Sequence, residues 1–191
     1  MKPWLFPLSA ALMAGTLFPA HAQQRLLPEQ SEIVFVSKQM GVPVEGRFRR
    51  FEGQIAFDPA QPARSQVTFS VDVASATLGV RETDAELPKP VWFDTARFPR
   101  ATFRSTAVRA LGGGRYEADG ELSLKGVVAP VKVPFTLAES PASKGVSVAT
   151  GSFAVQRLTF KVGDREWSDT SMVANEVQVR FKLALSGVPA R

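Results

Sequence analysis

Apolar and polar residues alternate with a period of two along most of the chain beyond residue 30, which is typical of β-strands with one buried face. The apolar faces of the four most regular stretches are formed by Val67, Phe69, Val71 and Val73; by Tyr116, Ala118, Gly120, Leu122 and Leu124; by Val127, Ala129, Val131, Val133, Phe135 and Leu137; and by Val173, Val177, Val179, Phe181, Leu183 and Leu185. Further strands are predicted at residues 33–35, 44–57, 101–108 and 146–162. The pattern therefore predicts an all-β domain of about eight antiparallel strands.

The alternation changes phase within two of these predicted strands. Apolar residues occupy even positions up to Phe48 and odd positions from Phe51, and the reverse change occurs between Val155 and Leu158. A change of phase within a continuous strand is what a β-bulge produces, and bulges bend long strands around a barrel. Eight such strands can form either a sandwich or a barrel, and the two phase shifts favour a closed barrel.

Residues 84–106 interrupt the strand pattern. Pro88 and Pro90 prevent one long helix, because proline removes a hydrogen-bond donor and restricts the residue before it. Trp92, Phe93 and Phe98 are a large apolar load for so short a stretch, and the open end of a β-structure is where they can be buried. The sequence predicts a short helical segment near residues 81–97 at one end of the barrel.

The first 22 residues have the features of a secretory signal peptide. Lys2 is followed by an apolar run at residues 4–18 and by Ala20-His21-Ala22, which fits an A-x-A cleavage site. A membrane anchor is less favoured, because the run is shorter than the roughly 20 residues needed to span a bilayer. We expect a mature chain beginning at Gln23, with residues 23–191 forming a single domain.

The lack of Cys and the near absence of His restrict the catalytic and metal-binding chemistry that the chain can perform. The chain has no Cys, and its single His, His21, belongs to the predicted signal peptide. The mature chain therefore has no Ser-His or Cys-His pair and no Cys or His zinc ligand. We expect no catalytic residue, no metal site and no covalent cofactor. An exported protein without disulfides is typical of a bacterial periplasm, which is the localisation we predict.

Neither the net charge nor the spacing of the carboxylates indicates a specific binding or catalytic site. Loss of Lys2 lowers the net charge from +5 to +4, and the basic residues are spread along the chain, which argues against nucleic acid but is compatible with weak attraction to anionic lipid headgroups. The carboxylates with the closest spacing are Asp84, Glu86 and Asp94, and Asp164, Glu166 and Asp169. We expect Asp84 to cap a helical turn, Asp94 to begin a turn and the second group to occupy a polar hairpin end.

Phenylalanine dominates the aromatic residues, with fourteen Phe against one Tyr. A wall of Phe makes no demand for hydrogen-bond partners, whereas Tyr brings a hydroxyl group that needs one. Composition alone leaves two interpretations open. These residues either fill a core, which is the more economical interpretation, or form the wall of an apolar cavity.

Three stretches resemble the YceI-like family of bacterial periplasmic proteins. Residues 84–106 contain D-x-x-L, W-F-D and F-P-x-x-T-F-x-S-T; residues 31–35 and 46–53 resemble the opening strands of the family, and residues 120–131 resemble its G-x-L-T-x-x-G-V-T-x-P-V hairpin. The resemblance covers residues 25–186. It implies a lipocalin-like barrel whose apolar cavity holds a polyisoprenoid chain. The family often has Arg before the Asp of D-x-x-L and His in the first loop, where this chain has Thr83 and Gln39.

Together, the resemblance and the alternation predict the residues that contact such a ligand: Phe35, Phe48, Phe69, Trp92, Phe93, Phe103, Phe135, Phe153, Arg157, Phe160 and Phe181. Arg157 follows the inward-facing Phe153 and Val155, so we expect it to point inward as well. A cation there needs a partner, which is either Asp169 or Asp164 or the polar head of a bound lipid.

The predicted function is that of a periplasmic carrier for an isoprenoid lipid of the polyprenyl phosphate or quinone type. Two alternatives remain open at this point. One is an accessory interaction module for a membrane electron-transfer protein, and a filled barrel would favour this alternative. The other is an enzyme acting on a prenyl lipid, which would need carboxylates clustered towards the cavity.

Overall fold

The computed structural model describes residues 24–189, so the predicted signal peptide lies outside the described part of the chain. These residues form eleven β-strands and one short α-helix: β1 (Arg25–Leu26), β2 (Glu32–Gln39), β3 (Val42–Phe48), β4 (Phe51–Ala56), β5 (Gln66–Asp72), β6 (Ala76–Thr77), α1 (Arg81–Asp84), β7 (Arg100–Gly112), β8 (Arg115–Leu124), β9 (Val127–Glu139), β10 (Val146–Gln156) and β11 (Glu176–Ser186). Short 3-10 turns lie between several of them.

All strand pairs are antiparallel and belong to one sheet with the order β4-β5-β7-β8-β9-β10-β11-β2-β3-β6, with β1 beside β11. Only Arg49 and Arg50 separate β3, which pairs with β2, from β4, which pairs with β5. One continuous stretch of chain therefore joins β4, at one end of this order, to β3, next to the other end, and the sheet curls into a barrel. The predicted antiparallel barrel with a helical segment at one end is confirmed.

At the first phase shift β3 ends at Phe48 and β4 begins at Phe51, so the bulge predicted within one continuous strand is wrong, although the apolar face does change there. The second prediction is wrong, because β10 ends at Gln156 and Arg157–Phe160 forms a 3-10 helix in place of a bulged strand. Lys161 ends this helix in a left-handed conformation with φ of 56°. The positions of the apolar residues from Leu158 onward are thus set by a helical turn, and the alternation of a strand does not describe them.

The end of the barrel opposite the helical segment is filled by aromatic rings. Phe57 and Tyr116 meet edge to face with centroids 5.0 Å apart, and Tyr116 stacks on Phe135 at 5.3 Å. Gln24 ties the start of the described chain to this end, because its side-chain amide donates to the Phe57 carbonyl at 2.7 Å and accepts from the Phe57 N–H at 2.8 Å. The interior is consequently closed at this end.

The other end carries the helical segment (residues 81–97), in which α1 is followed by consecutive turns up to Arg97. Beside it lies a second irregular stretch, here called the Arg157 loop (residues 157–175), which connects β10 to β11. None of the helices within residues 24–189 is long and apolar enough to span a bilayer. These two irregular stretches position the site described next.

Candidate functional site

The barrel interior contains a cavity of about 530 Å³. It extends from Leu78 and Trp92 beside the helical segment to Leu137 and Leu185 near the opposite end. Its lining is almost entirely aliphatic and aromatic. The polar residues among the lining are Ser37, Gln39, Thr83, Glu86, Thr102 and Arg157. A long hydrocarbon chain would meet apolar surface along most of this space.

The opening of the cavity is marked by lining residues that are also exposed to solvent. These are Gln39 at the end of β2, Thr83 and Glu86 in the helical segment, and Trp167 in the Arg157 loop. Glu86 accepts a hydrogen bond from the Lys89 ammonium group at 2.6 Å, so its charge has a local partner. The polar groups of the opening are therefore mainly uncharged.

The structure places ten of the eleven residues predicted from the sequence on the cavity wall: Phe35, Phe48, Phe69, Trp92, Phe93, Phe103, Phe135, Phe153, Arg157 and Phe181. Phe160 is the exception, because the structure does not place it on the cavity wall. It lies in the 3-10 helix, is 2% exposed and packs in a core cluster with Val155 and Val162. Ligand contact by the other ten stays a prediction.

Four of the inward-facing Phe rings lie against a glycine of the neighbouring strand. A Cβ atom added at Gly53 would come within 2.8 Å of the Phe69 ring, and one at Gly120 within 2.5 Å of the Phe103 ring. The other two pairs are Gly46 with Phe35 and Gly151 with Phe181. Because each glycine leaves room for the ring to lie along the wall, the rings do not fill the barrel axis.

Sequence reasoning missed these Phe–Gly pairs and also missed Trp167 as a lining residue. The glycines were visible as small residues within strand patterns, where an isolated Gly indicates close approach of another group. Trp167 lies among the carboxylates that we expect at a polar hairpin end, although a single indole among charged residues is itself a signal of partial burial. The partner of each glycine depends on strand register, which the alternation does not give.

Arg157 points inward, as predicted, but its partners within the described chain are backbone carbonyls in place of the predicted carboxylate. Its side chain is 3% exposed and all five of its N–H groups donate to backbone carbonyls. The acceptors are Ala174 at 3.0 Å, Val162 at 3.0 Å, Trp167 at 2.6 Å, Val173 at 2.6 Å and Gly163. The guanidinium group thus holds the Arg157 loop together from inside.

The predicted ion pair between Arg157 and Asp169 or Asp164 is therefore wrong. Within residues 24–189, no carboxylate lies within ion-pair distance of Arg157. The Asp169 carboxylate instead accepts hydrogen bonds from the Ser171 hydroxyl at 2.7 Å and the Ser171 N–H at 2.9 Å, and these bonds lower its pKa. Backbone carbonyls take the place of a carboxylate as partners of Arg157, because the loop folds around its planar guanidinium group.

Burial lowers the pKa of Arg157, but a guanidinium group remains protonated in proteins. The charge is therefore present, and it faces only neutral partners. Since every N–H group is already used, Arg157 has no donor left for a ligand unless the loop rearranges. Its proximity to the cavity reflects its role in supporting the loop.

The two irregular stretches are joined around Val91. Its carbonyl accepts a hydrogen bond from the Gly163 N–H at 2.8 Å and from the Lys125 ammonium group at 3.2 Å. Lys125 also donates to the Lys161 carbonyl at 2.5 Å, and burial lowers the pKa of Lys125. The helical segment, the β8–β9 hairpin and the Arg157 loop therefore form one connected cover over the cavity.

Asp84 anchors the start of this cover. Its carboxylate accepts hydrogen bonds from the Thr77 hydroxyl at 2.5 Å and from the Leu78 N–H at 2.6 Å, and these bonds lower the pKa of Asp84. The expectation that Asp84 caps a helical turn is wrong, because it is the last residue of α1 and binds backward to β6. Asp94 begins a turn as predicted, since its carbonyl accepts from the N–H groups of Arg97 and Phe98.

Comparison with known proteins gives a consistent result. A model of the YceI-like domain matches residues 25–185. A UPF0312 protein from Vibrio cholerae is 30% identical over 137 residues, which are 70% of this chain and 72% of that protein. A UPF0312 protein from Azotobacter vinelandii is 36% identical over 129 residues, which are 65% of this chain and 66% of that protein.

Solved structures agree with the fold. BcnA from Burkholderia cenocepacia superimposes with a TM-score of 0.79 at 39% identity, covering 83% of this chain and 98% of BcnA. A polyisoprenoid binding domain from Saccharophagus degradans, implicated in plant cell wall breakdown, superimposes with a TM-score of 0.69 at 17% identity, covering 88% of this chain and all of that domain (100%). The chain therefore belongs to the family of YceI-like domains.

Proposed function

We propose that this protein is a carrier or reservoir that holds one isoprenoid lipid inside its barrel. The observation that carries the proposal is the cavity of about 530 Å³ with an apolar wall and a polar opening at one end. Pockets of this size are typical of small-ligand sites, and a hydrocarbon chain would be held by burial of its surface. The structural likeness to a polyisoprenoid binding domain supports the choice of an isoprenoid over other hydrocarbon chains.

The chemistry of the opening favours an uncharged head group, of the quinone type, over a phosphate. A phosphate is normally held by Arg, Lys or several free N–H donors. Among the lining residues of the described chain, Arg157 is the one cationic side chain and it has no free donor, and Gln39 and Thr83 stand where the family often has His and Arg. The hydroxyl and amide groups of the opening suit a carbonyl or hydroxyl head.

The two other classes of function fit the structure less well. An interaction module without a ligand would be expected to have a filled barrel, and this barrel has an apolar cavity. An enzyme acting on a prenyl lipid would need more than one carboxylate facing the cavity, and Glu86 is the one acidic residue among the lining residues described here. A binding protein without catalysis is the function that these side chains support.

The site of action that we propose is the bacterial periplasm. The proposal depends on the predicted signal peptide at residues 1–22, with its A-x-A sequence at Ala20-His21-Ala22. The absence of Cys from the whole chain means that folding after export requires no disulfide. Expression of the full chain followed by fractionation should place a shortened form, beginning at Gln23, in the periplasmic fraction.

The test of ligand binding is organic extraction of the purified mature protein followed by mass spectrometry. We expect an isoprenoid lipid with an uncharged head group in near-stoichiometric amount. A phosphorylated lipid would contradict the head-group assignment, and absence of any lipid from every preparation would contradict the carrier proposal.

Two variants provide the matched control for this experiment. Ala101→Phe places a ring on the cavity wall, whereas Ala154→Phe places the same ring on the outer surface of β10. The first should reduce the amount of extracted lipid and the second should not. Equal loss in both variants would mean that the lipid binds outside the barrel.

A further inference from the structure

Large apolar side chains are exposed mainly around the opening of the cavity. Seven such residues are exposed within residues 24–189, and five of them belong to the opening, because they line it or lie within three residues of Gln39, Thr83 or Val173 in sequence. These five form what we call the apolar rim: Met40, Val42, Val80, Trp167 and Met172. Because exposed apolar residues that cluster mark interaction sites more often than scattered ones, the position of the rim is informative.

The members of the rim are held in place by the structure of the opening. The Met40 N–H donates to the Met172 carbonyl at 2.8 Å, and the neighbouring residues Gln39 and Val173 form a β-bridge and both line the cavity. Trp167 is itself a lining residue that is 38% exposed. The apolar surface of the rim is therefore continuous with the apolar wall of the cavity.

The charged residues in the same segments are of both signs. Apart from the buried Arg157, the side chains of these segments that form no ion pair within the described part of the chain are the basic Lys38, Arg81, Lys161 and Arg165 and the acidic Glu82, Asp84, Asp164, Glu166 and Asp169. A polybasic patch would be expected for a surface that binds anionic lipid. A mixed patch complements a surface that itself carries both ammonium and phosphate groups, as zwitterionic phospholipid headgroups do.

We propose that the apolar rim docks on the surface of a zwitterionic phospholipid bilayer, with the opening of the cavity facing the membrane. Side chains such as Met40 and Trp167 would enter the boundary between headgroups and acyl chains, as in proteins that lie on membranes without spanning them. The proposal rests on the proposed function, since an isoprenoid lipid dissolved in the bilayer then reaches the cavity without crossing water.

The test is flotation of the delipidated mature protein with vesicles of phosphatidylcholine and phosphatidylethanolamine. Met40→Asp and Met172→Asp remove one apolar contact each, and Leu111→Asp is the matched control. Leu111 is 48% exposed, close to the 45% of Met172, but it lies at the opposite end of the barrel. We expect each rim variant to weaken vesicle binding by about tenfold, as for loss of one large buried apolar side chain, and the control to bind normally.

Salt provides a second measurement on the same vesicles. Binding through the rim should change little between low and high ionic strength, because apolar contacts are not screened. Absence of vesicle binding by the wild-type protein would overturn the proposal. So would equal binding by rim and control variants, or binding that requires anionic lipid and disappears in salt.

The proposed function is tested separately by retention of a long-chain quinone in detergent micelles, where no bilayer is present. We expect Met172→Asp to retain quinone like the wild type, because Met172 is not among the lining residues. Quinone retention without vesicle binding would overturn only the docking proposal. Vesicle binding by the rim without quinone retention would overturn the carrier function and leave docking standing.

Discussion

The indole rings of Trp92 and Trp167 pack against each other with their centroids 5.6 Å apart and their planes inclined by 35°. One ring belongs to the helical segment and the other to the Arg157 loop, and both line the cavity. Trp92 also lies against Gly163, where a Cβ atom would come within 2.6 Å of the indole. The contact joins the two stretches that cover the opening, so separating these rings would widen the path into the barrel.

Trp92→Ala should therefore change lipid exchange more than global stability. Trp92 is only half-buried, so we expect a loss of about 1–2 kcal/mol, below that of a fully buried aromatic residue. The exchange rate of a quinone between protein and vesicles should rise several-fold, which stopped-flow transfer can measure beside thermal unfolding. A collapse of the thermal midpoint with an unchanged exchange rate in the folded fraction would show that Trp92 is a core plug.

Arg157→Gln should destabilise the delipidated protein strongly. The substitution removes donors from up to five backbone carbonyls, and buried carbonyls without partners are costly. We expect a loss of at least about 3 kcal/mol in the free energy of unfolding, measured with urea. Arg104→Gln is the control, because Arg104 is exposed on β7 and should contribute little.

The same variant tests the remaining role for this residue. If Arg157→Gln keeps the stability of the wild type and loses lipid affinity, then Arg157 contacts the head group and the Arg157 loop rearranges on binding. Stability and affinity that both stay unchanged would contradict its burial in the structure.

The barrel was predictable from the sequence because alternation with a period of two is a local property. The faces of Val67 to Val73 and of Val127 to Leu137 needed no knowledge of distant residues. The inward direction of Arg157 followed from the same rule, applied from Phe153. Its acceptors did not, because the fold of residues 157–175 depends on contacts with β2 and the helical segment.

The existence of the cavity was harder to predict from the sequence than the residues that line it. Composition does not say whether Phe rings point towards the barrel axis or lie along the wall. The difference is set by cross-strand pairs such as Phe35 with Gly46 and Phe181 with Gly151, which are opposite each other only in the observed register. Resemblance to a family supplied the expectation of a cavity, and the glycines explain why it exists.

Gly53→Ala should reduce the cavity without preventing folding. The new methyl group would lie within 2.8 Å of the Phe69 ring, and the nearest atoms are all side-chain atoms of Phe69. Because Phe69 lines the cavity, we expect displacement of its ring to take up cavity space, at a cost of about 1–3 kcal/mol for overpacking. We expect lower quinone affinity in a folded protein, measured by titration of tryptophan fluorescence.

The control for this prediction is Gln54→Ala, which changes the next residue of β4 on the outer face. It should leave affinity unchanged. Equal affinity of Gly53→Ala and the wild type would mean that the ligand does not use the space beside Phe69.

The hydrogen bonds of Asp84 predict how the cover of the cavity responds to acid. Both Asp84 oxygens accept hydrogen bonds, from the Thr77 hydroxyl and the Leu78 N–H, so the folded protein favours the ionised carboxylate and lowers the pKa of Asp84 below its ordinary value of 3.8. For a group whose pKa is lowered by folding, stabilisation is complete above the ordinary value and is lost as the pH falls through the folded value.

Asp84→Asn should therefore destabilise the protein more at neutral pH than at acid pH below the ordinary value of 3.8, where the wild-type carboxyl group itself becomes protonated. Glu139→Gln, at the exposed end of β9, is the control for loss of a carboxylate away from the cover and should change stability little. Urea unfolding of the three proteins across this range provides the measurement. Because Asp84 fastens α1 to β6, we expect quinone exchange in the wild type to accelerate over the same acid range. If Asp84→Asn and the wild type differ by the same amount at every pH, then the contribution of Asp84 does not depend on its charge.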